Sequence, residues 1–360
     1  MLDLALLPDG GISWLDGSGE HADVVLSTRI RLARNVEGYA FTGRAREGER
    51  LRVLQSVRDA MPHVASLAGG VVLRVDELAP NDRQLLHERH LMSKELAGLE
   101  TSQGVRGGAA VVLAPGVGVM VNEEDHLRLQ ALRSGLELGD AMAAVDRLDR
   151  ELGSRLPYAF HDDFGFLTAC PTNTGTGMRA SVLIHLPGLV LTKEIAKVLA
   201  GLQTMGLTYR GLYGEGSEVL GNFFQISNQT TLGRSEEELT DHLARVVRHV
   251  IQREHEARRV LWRDAGYIIE DKLWRAYGTL RFARSLTFDE AMNYLSGVRL
   301  AVGLKLITGL SVYTLNKLLI FCQSAHLAYA EGRALTESEA NLARARYVRQ
   351  ALEAEADPLA

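Results

Sequence analysis

The chain has 360 residues, a formal net charge of −5 and a pI near 6.1. At about 150 residues per domain, this predicts two or three domains, each long enough to bury a core. With 46% hydrophobic and 24% charged residues the chain is neither disordered nor collagen-like, and its acidic balance argues against a surface built wholly to grip nucleic acid. Cys170 and Cys322 lie far apart without Cys-x-x-Cys spacing, which excludes a disulfide scaffold and makes a zinc site unexpected.

The first ten residues lack a basic stretch and a long apolar run, so no signal peptide is expected. The longest mostly apolar stretch, 109–121, is broken by Pro115, Gly116 and Gly118 and is far short of the ~20 residues that span a bilayer. The expected location is the cytoplasm, with no membrane partner.

Taken in chain order, helical spacing marks 48–61, 82–91 and 136–152, while β-rich runs occupy 71–75, 109–113, 117–121, 166–169, 181–186, 207–209 and 223–226. Ala114-Pro115-Gly116 is turn chemistry and joins 109–113 to 117–121 as a hairpin. After residue 235 the β texture vanishes. Ser235 with Glu238, Thr287 with Glu290 and Thr336 with Glu339 each form a capping-box pattern that opens a helix. The second of these helices is expected to stop near Gly309, and the apolar stretch 310–330 reads as the core of a bundle. The expected architecture is α+β, with a domain over 1–255, a helical domain over 256–360 and a soft boundary between them.

Four polar segments interrupt this pattern. In Ser27-Thr28-Arg29-Ile30-Arg31 the two arginines are two apart, so on an extended chain they share a face; the plain alternative is a solvated edge strand. Asn122-Glu123-Glu124-Asp125-His126-Leu127-Arg128 follows a strand; its plain alternative is a helix N-terminus, and adjacent acids are poorly spaced for a metal. Cys170-Pro171-Thr172-Asn173-Thr174-Gly175-Thr176-Gly177-Met178-Arg179 is rich in small residues that let a backbone approach a ligand, but no Gly-Lys-Ser/Thr follows to make it a P-loop. Arg210-Gly211-Leu212-Tyr213-Gly214-Glu215 presents charge from a glycine-rich loop; a plain hairpin loop is the alternative. If Arg29, Arg31, Arg128, Arg179 and Arg210 converge, their permanently charged, multidentate guanidinium groups suit a nucleoside triphosphate.

These four segments, in this order, resemble the motifs of the ATP:guanido phosphotransferase family, which includes creatine and arginine kinases. The resemblance runs from about residue 24 to 232 and implies a curved antiparallel β-sheet flanked by helices. Only about 25 residues precede Ser27, a helical extension of about 100 residues follows, and Arg210–Glu215 is succeeded by Gly221-Asn222-Phe223-Phe224-Gln225. In these features the chain is similar to the family's bacterial protein-arginine kinase branch. That branch phosphorylates arginine side chains of proteins and marks them during stress for a Clp-type protease.

The resemblance implies ATP and Mg²⁺ as cofactors and no resident metal site. It places Ser27, Thr28, Arg29, Ile30 and Arg31 at the ATP phosphates, with Arg128, Arg179 and Arg210 completing the cradle. Ala180, Ser181, Val182 and Leu183 are expected to line the nucleotide, and Arg210, Gly211, Leu212, Tyr213, Gly214 and Glu215 to fold over it. His90 is expected against the adenine; a surface helix histidine is its plain alternative. Glu124 resembles the catalytic base, Glu215 its partner carboxylate, and Cys170 a cysteine beside the acceptor guanidine.

Leu183 and Tyr213 stand where arginine kinases carry a histidine and an arginine. Of the branch's phosphoarginine-reading motif, Arg-Asp-x-x-Arg-Ala, the segment 340–345 keeps only Arg344 and Ala345, and a charged helix face is the reading preferred for it. Expected partners are proteins with accessible arginines, an activator or repressor protein and a second copy of the chain in a homodimer, with no direct nucleic acid. The alternatives are a kinase of a free small guanidine and a catalytically silent adaptor for arginine-rich partners.

Overall fold

The structure, a computed structural model, describes residues 2–99, 104–212 and 219–355. In chain order the elements are β1 (Val25–Arg34), α1 (Glu47–Ala60), β2 (Val71–Arg74), α2 (Pro80–Glu88), β3 (Ala110–Ala114), β4 (Val117–Val121), β5 (Leu127–Ser134), α3 (Leu138–Gly153), β6 (Phe160–His161), β7 (Gly165–Phe166), β8 (Met178–His185), α4 (Pro187–Leu191), α5 (Ile195–Thr204), β9 (Leu207–Arg210) and β10 (Phe223–Asn228). The helices α6 (Glu236–Phe282), α7 (Phe288–Gly303), α8 (Val312–Phe321), α9 (Ser324–Glu331) and α10 (Glu337–Glu353) follow.

Eight strands make one sheet in the order β2-β3-β4-β5-β1-β8-β10-β9, antiparallel at every pairing. Alternation then sorts the side chains. Ile30, Leu32, Leu129, Ala180, Val182 and Ile226 point to one face and join the largest core cluster, with apolar residues of α1, α3 and the first half of α6. On the opposite face, Leu132, Leu183 and Phe223 pack against the helical region, whose own core holds Leu273, Leu295, Leu318 and Val348. Farther along that same face the strands carry Arg29, Arg31, Arg128 and Arg179 in place of apolar residues.

The structure rules out two of the plain alternatives and corrects two expected element bounds. The Arg29–Arg31 strand is central, between β5 and β8, and not an edge. The acidic segment 122–126 is no helix start: it is a tight turn from β4 into β5, and Asn122 there has φ 59° while its N–H donates to the His126 carbonyl at 2.8 Å. The strand expected at 166–169 shrinks to the two residues of β7, and α7 ends at Gly303, six residues short of Gly309. All three capping boxes form. The apolar stretch 310–330 becomes two helices, α8 and α9, and its Leu315, Leu318, Leu319 and Ile320 are buried in the helical core. α6 runs on through residue 255 and kinks at the non-helical Ala265; its residues to Ala257 join the sheet's core and those from Leu261 the helical core. Among the described residues, no helix is long and apolar enough to cross a membrane.

Candidate active site

A cleft of about 780 Å³ opens on the arginine-bearing face of the sheet. Arg29, Arg31, Arg128, Arg179 and Arg210 all line it, from four strands and from segments 180 residues apart in sequence. Register explains the convergence. Arg31 sits directly opposite Arg179 across β1 and β8, and Ala33 opposite Arg128 across β1 and β5. Arg210 sits opposite Gln225 across β9 and β10.

Like charges opposite one another destabilise a sheet, so this cluster costs folding energy that an anion would offset. Burial, then the neighbouring Arg179 and Arg128 cations, pull the Arg29 guanidinium down to about 10. Burial and Arg29 push Arg31 well below its ordinary value. Arg31 Nε is buried and has no hydrogen-bond partner among the described residues, and buried donors are rarely left so without a ligand. Arg179 Nη2 donates to Ser227 Oγ at 3.3 Å, which aims it along the sheet.

Glu123 and Glu124 line the same cleft. Glu123 is buried and accepts from Arg128 Nη1 at 2.6 Å, while Glu124, with 46% of its side chain exposed, accepts from Arg128 Nη2 at 3.1 Å. For Arg128, burial alone would lower the pKa, but the carboxylates of Glu123 and Glu124 outweigh it and raise it. Glu124 is raised above the ordinary glutamate value because desolvation in the cleft exceeds the pull of Arg128, and Asp125 and Glu123 add to it.

Asp125 and His126 are the scaffold under these acids. Asp125 Oδ1 accepts from Asn35 Nδ2 and from the Ala169 N–H, both at 2.7 Å. His126 Nδ1 accepts from the Val36 N–H at 3.0 Å, and its Nε2 contacts the Ala40 carbonyl at 2.9 Å. The Asp125 bond to Ala169 also ties the acidic turn to the neighbourhood of Cys170. Cys170 is half-buried on the cleft wall, with Sγ 3.0 Å from Thr172 Oγ1.

His90 lines the cleft beside Arg29, with φ 59° and its ring edge-on to Trp14 at 5.2 Å. Burial and the Arg29 charge hold its imidazole well below the ordinary range, so it is neutral at pH 7. Its position on the wall differs from that of a surface helix histidine.

Other residues named from the motifs point elsewhere. Thr28 is buried on the opposite face, where its hydroxyl donates to the Gly135 carbonyl at 2.6 Å. Ile30, Ala180 and Val182 are core residues on that face. Ser27 is buried outside the cleft lining. Ser181 shares the arginines' face, but its hydroxyl donates to the Arg29 carbonyl at 3.3 Å. Leu183 and Leu212 pack with Trp14 and Phe223 against the helical region and do not line the cleft. Gly211 bridges at the end of β9 outside the lining, and Tyr213, Gly214 and Glu215 lie outside the described residues.

The glycines of the Cys170 segment serve the fold: a Cβ at Gly175 would meet the Thr231 carbonyl at 2.5 Å, and one at Gly177 the Ala33 carbonyl at 2.6 Å. Close approach of backbone to backbone demands them, and Gly177 also lines the cleft. The sequence reading missed Lys94, Glu95 and Arg106, which also line the cleft, with Arg106 Nη1 donating to the Glu123 carbonyl at 3.2 Å. They belong to no motif among the four, and only folding reveals them.

Residues 52–257 match the ATP:guanido phosphotransferase C-terminal catalytic domain, and residues 267–359 match the protein-arginine kinase McsB C-terminal domain. The chain belongs to the ATP:guanido phosphotransferase family. It is 44% identical over 342 residues to a protein-arginine kinase of Pelotomaculum thermopropionicum, covering 94% of each chain. Against a protein-arginine kinase of Moorella thermoacetica it is 45% identical over 344 residues, covering 94% of this chain and 97% of that one. Among solved structures it resembles the duplicated taurocyamine kinase of Schistosoma mansoni with bound transition-state analogue components, at TM-score 0.59 and 28% identity over 71% of this chain. It spans about a third (35%) of that duplicated protein. A lombricine kinase shares the fold at TM-score 0.55 and 23% identity, over 68% of this chain and 71% of the other.

This guanido phosphotransferase is therefore a kinase that uses ATP, and within the family it groups with the protein-arginine kinases. The first arginine motif, Arg29 and Arg31, precedes the matched stretch, yet β1 carries it into the same cleft.

Proposed function

We propose that this guanido phosphotransferase transfers the γ-phosphoryl group of ATP to arginine side chains of proteins, with Glu124 as general base. The observation that carries the reading is the meeting of five guanidinium groups with Glu123 and Glu124 in one cleft. The arginines bind the triphosphate and neutralise charge that spreads over the transferring group. An acceptor guanidinium has a pKa above 12 and is no nucleophile while protonated. Glu124 pairs with it, orients one nitrogen in line with the γ-phosphorus and takes a proton from that nitrogen. A P–N bond forms, the bond from γ-phosphorus to the bridging oxygen breaks, and ADP leaves. We assign Glu215 as the second carboxylate and Cys170 as a neighbour of the acceptor, from their motifs.

Mg²⁺ fits as a phosphate-bound ion. Among the described residues no group of three or more His, Cys, Asp and Glu side chains forms a cage, and Mg²⁺ prefers to keep waters and phosphate oxygens. When bound with ATP it supplies further charge neutralisation at the phosphates.

We further propose that residues 1–255 form the catalytic domain and 256–360 a dimerising and regulatory one, responsive to an activator or repressor protein. Trp262, Tyr267 and Ile268 on α6 are exposed apolar residues suited to a second copy. A role in the cytoplasm, in stress and in delivery of proteins to a Clp-type protease, follows the resemblance to the protein-arginine branch. The deciding experiment incubates the chain with ATP, Mg²⁺ and either an unfolded basic protein or free arginine, then applies mass spectrometry under non-acidic conditions that preserve the P–N bond. Phosphoarginine in the protein is the expected product. Phosphorylation of free arginine alone supports the small-guanidine alternative, and none at all the silent adaptor.

A further inference from the structure

The cleft wall that carries His87 and His90 is the C-terminal end of α2 and the turn that follows it. That end is gripped from behind by the helical region. Glu88 is buried, and its carboxylate accepts from the N–H groups of Ala325 at 3.1 Å and His326 at 3.3 Å, and from His326 Nδ1 at 2.8 Å. Arg89 Nε donates to His326 Nε2 at 3.0 Å. The two bonds fix the tautomer: Nδ1 carries the proton and Nε2 accepts. Arg89 also donates to the Gly10 carbonyl, and its guanidinium lies 5.2 Å from the ring of Phe321. At the other end of α2, Asn81 Nδ2 donates to the Ala325 carbonyl at 3.3 Å. α2 is thus lashed to α9 at both ends.

His90 follows Arg89 immediately and occupies the left-handed region at φ 59°, a conformation a non-glycine residue keeps only where its surroundings dictate it. Glu88, Arg89 and His326 do not line the cleft, and nothing in phosphoryl transfer calls for them. A buried polar chain of this kind is worth its desolvation only when every member is satisfied, as here, and it then specifies one arrangement.

We propose that Glu88, His326 and Arg89 are positioning residues through which the helical region sets the nucleotide-binding wall of the cleft, so that the seat of α9 governs affinity for ATP. The inference rests on the reading that His90 borders the nucleotide. By reciprocity, a partner that shifts α9 alters ATP affinity, and ATP alters the affinity for that partner.

The test uses the full chain. His326→Leu removes both bonds at similar volume; His326→Gln offers a carboxamide that accepts from Arg89 and donates to Glu88. The leucine variant is expected to raise KM for ATP about tenfold, within the range of site-to-site couplings, with kcat nearly unchanged, and the glutamine variant to recover most of the loss. Should the leucine variant fail to fold, Glu88→Gln carries the same expectation. An unchanged KM in a folded variant, or a fall in kcat alone, overturns the relay. His90→Ala separates the two levels. If it leaves KM for ATP unchanged, the nucleotide lies elsewhere, and both the reading and the relay fall. If it raises KM while the His326 and Glu88 variants do not, the relay alone falls.

Discussion

Two populations of arginine divide this molecule. In the cleft, Arg31 faces Arg179 across β1 and β8 with Arg29 beside it on the same face, all like charges, and Arg31 keeps a buried Nε with no partner among the described residues. At the seams of the fold, Arg34 and Arg344 are answered by carboxylate and carbonyl oxygens. Arg34 holds Asp149 through Nε at 3.0 Å and Nη2 at 2.7 Å, and donates Nη1 to the Ala33 and Thr176 carbonyls. Arg344 donates to the carbonyls of Cys322 and Leu286 and to Asn341 Oδ1. Arg34 and Arg344 order the chain, whereas Arg31 sits among like charges with a buried donor that an anion would satisfy. Burial alone does not tell them apart; the identity of the neighbours does.

The sharpest way to break this division is at the base. Glu124→Gln is expected to lower kcat by about 10²–10⁴, the usual contribution of a positioned proton acceptor, while leaving ATP affinity intact. Single-turnover phosphorylation alongside a nucleotide-binding titration checks both halves. Loss of binding and catalysis together would place Glu124 in the scaffold with Asp125.

The next contrast sets one arginine of each kind against the other. Arg34→Met leaves a largely buried Asp149 charge unanswered and is expected to cost about 3–5 kcal/mol in urea unfolding. Arg31→Met removes a cation that already faces Arg179 and Arg29, so the folded chain is expected to gain roughly 0.2–1 kcal/mol while ATP binding weakens severely. If both substitutions destabilise alike, the division between the two populations fails.

Much of this division was legible in the sequence, for identifiable reasons. The period of two put Arg29 and Arg31 on one face, and the capping boxes at Ser235, Thr287 and Thr336 placed three helix starts, because both signals are local. The centrality of β1 was not legible, since a strand that carries two arginines looks like an edge until its neighbours β5 and β8 are known. For Asn122–Asp125 a helix start was the plain alternative, because acids favour helix N-termini; Asn122 at positive φ instead turns the chain back into β5. The motifs include Thr28, Ile30, Ala180 and Val182, whose side chains do not face the cleft. Alternation along each strand places them on the core face with Leu32 and Leu129. Arg344, expected on a charged helix face, is buried with its donors committed to carbonyls, a role that depends on residues 22 and 58 positions away.

The smallest effect concerns pH. Desolvation raises Glu124 above the ordinary glutamate value of 4.5, so the acid limb of kcat/KM is expected at higher pH than that value. A carboxyl raised in the folded state contributes stability that is complete below its unfolded pKa and is lost as pH rises through the folded one. Glu124→Gln cannot ionise and is expected to flatten that decline in a plot of thermal midpoint against pH. Glu95 sharpens the comparison further. It lines the cleft as a third carboxylate and adds to the upward push on Glu124. Glu95→Gln is therefore expected to move the acid limb to lower pH without changing the plateau, because it relieves the base without entering the transfer. A limb that stays in place would mean that Glu95 is screened from Glu124 when substrates fill the cleft, and that the five guanidinium groups, not the neighbouring acids, set the proton affinity of the base.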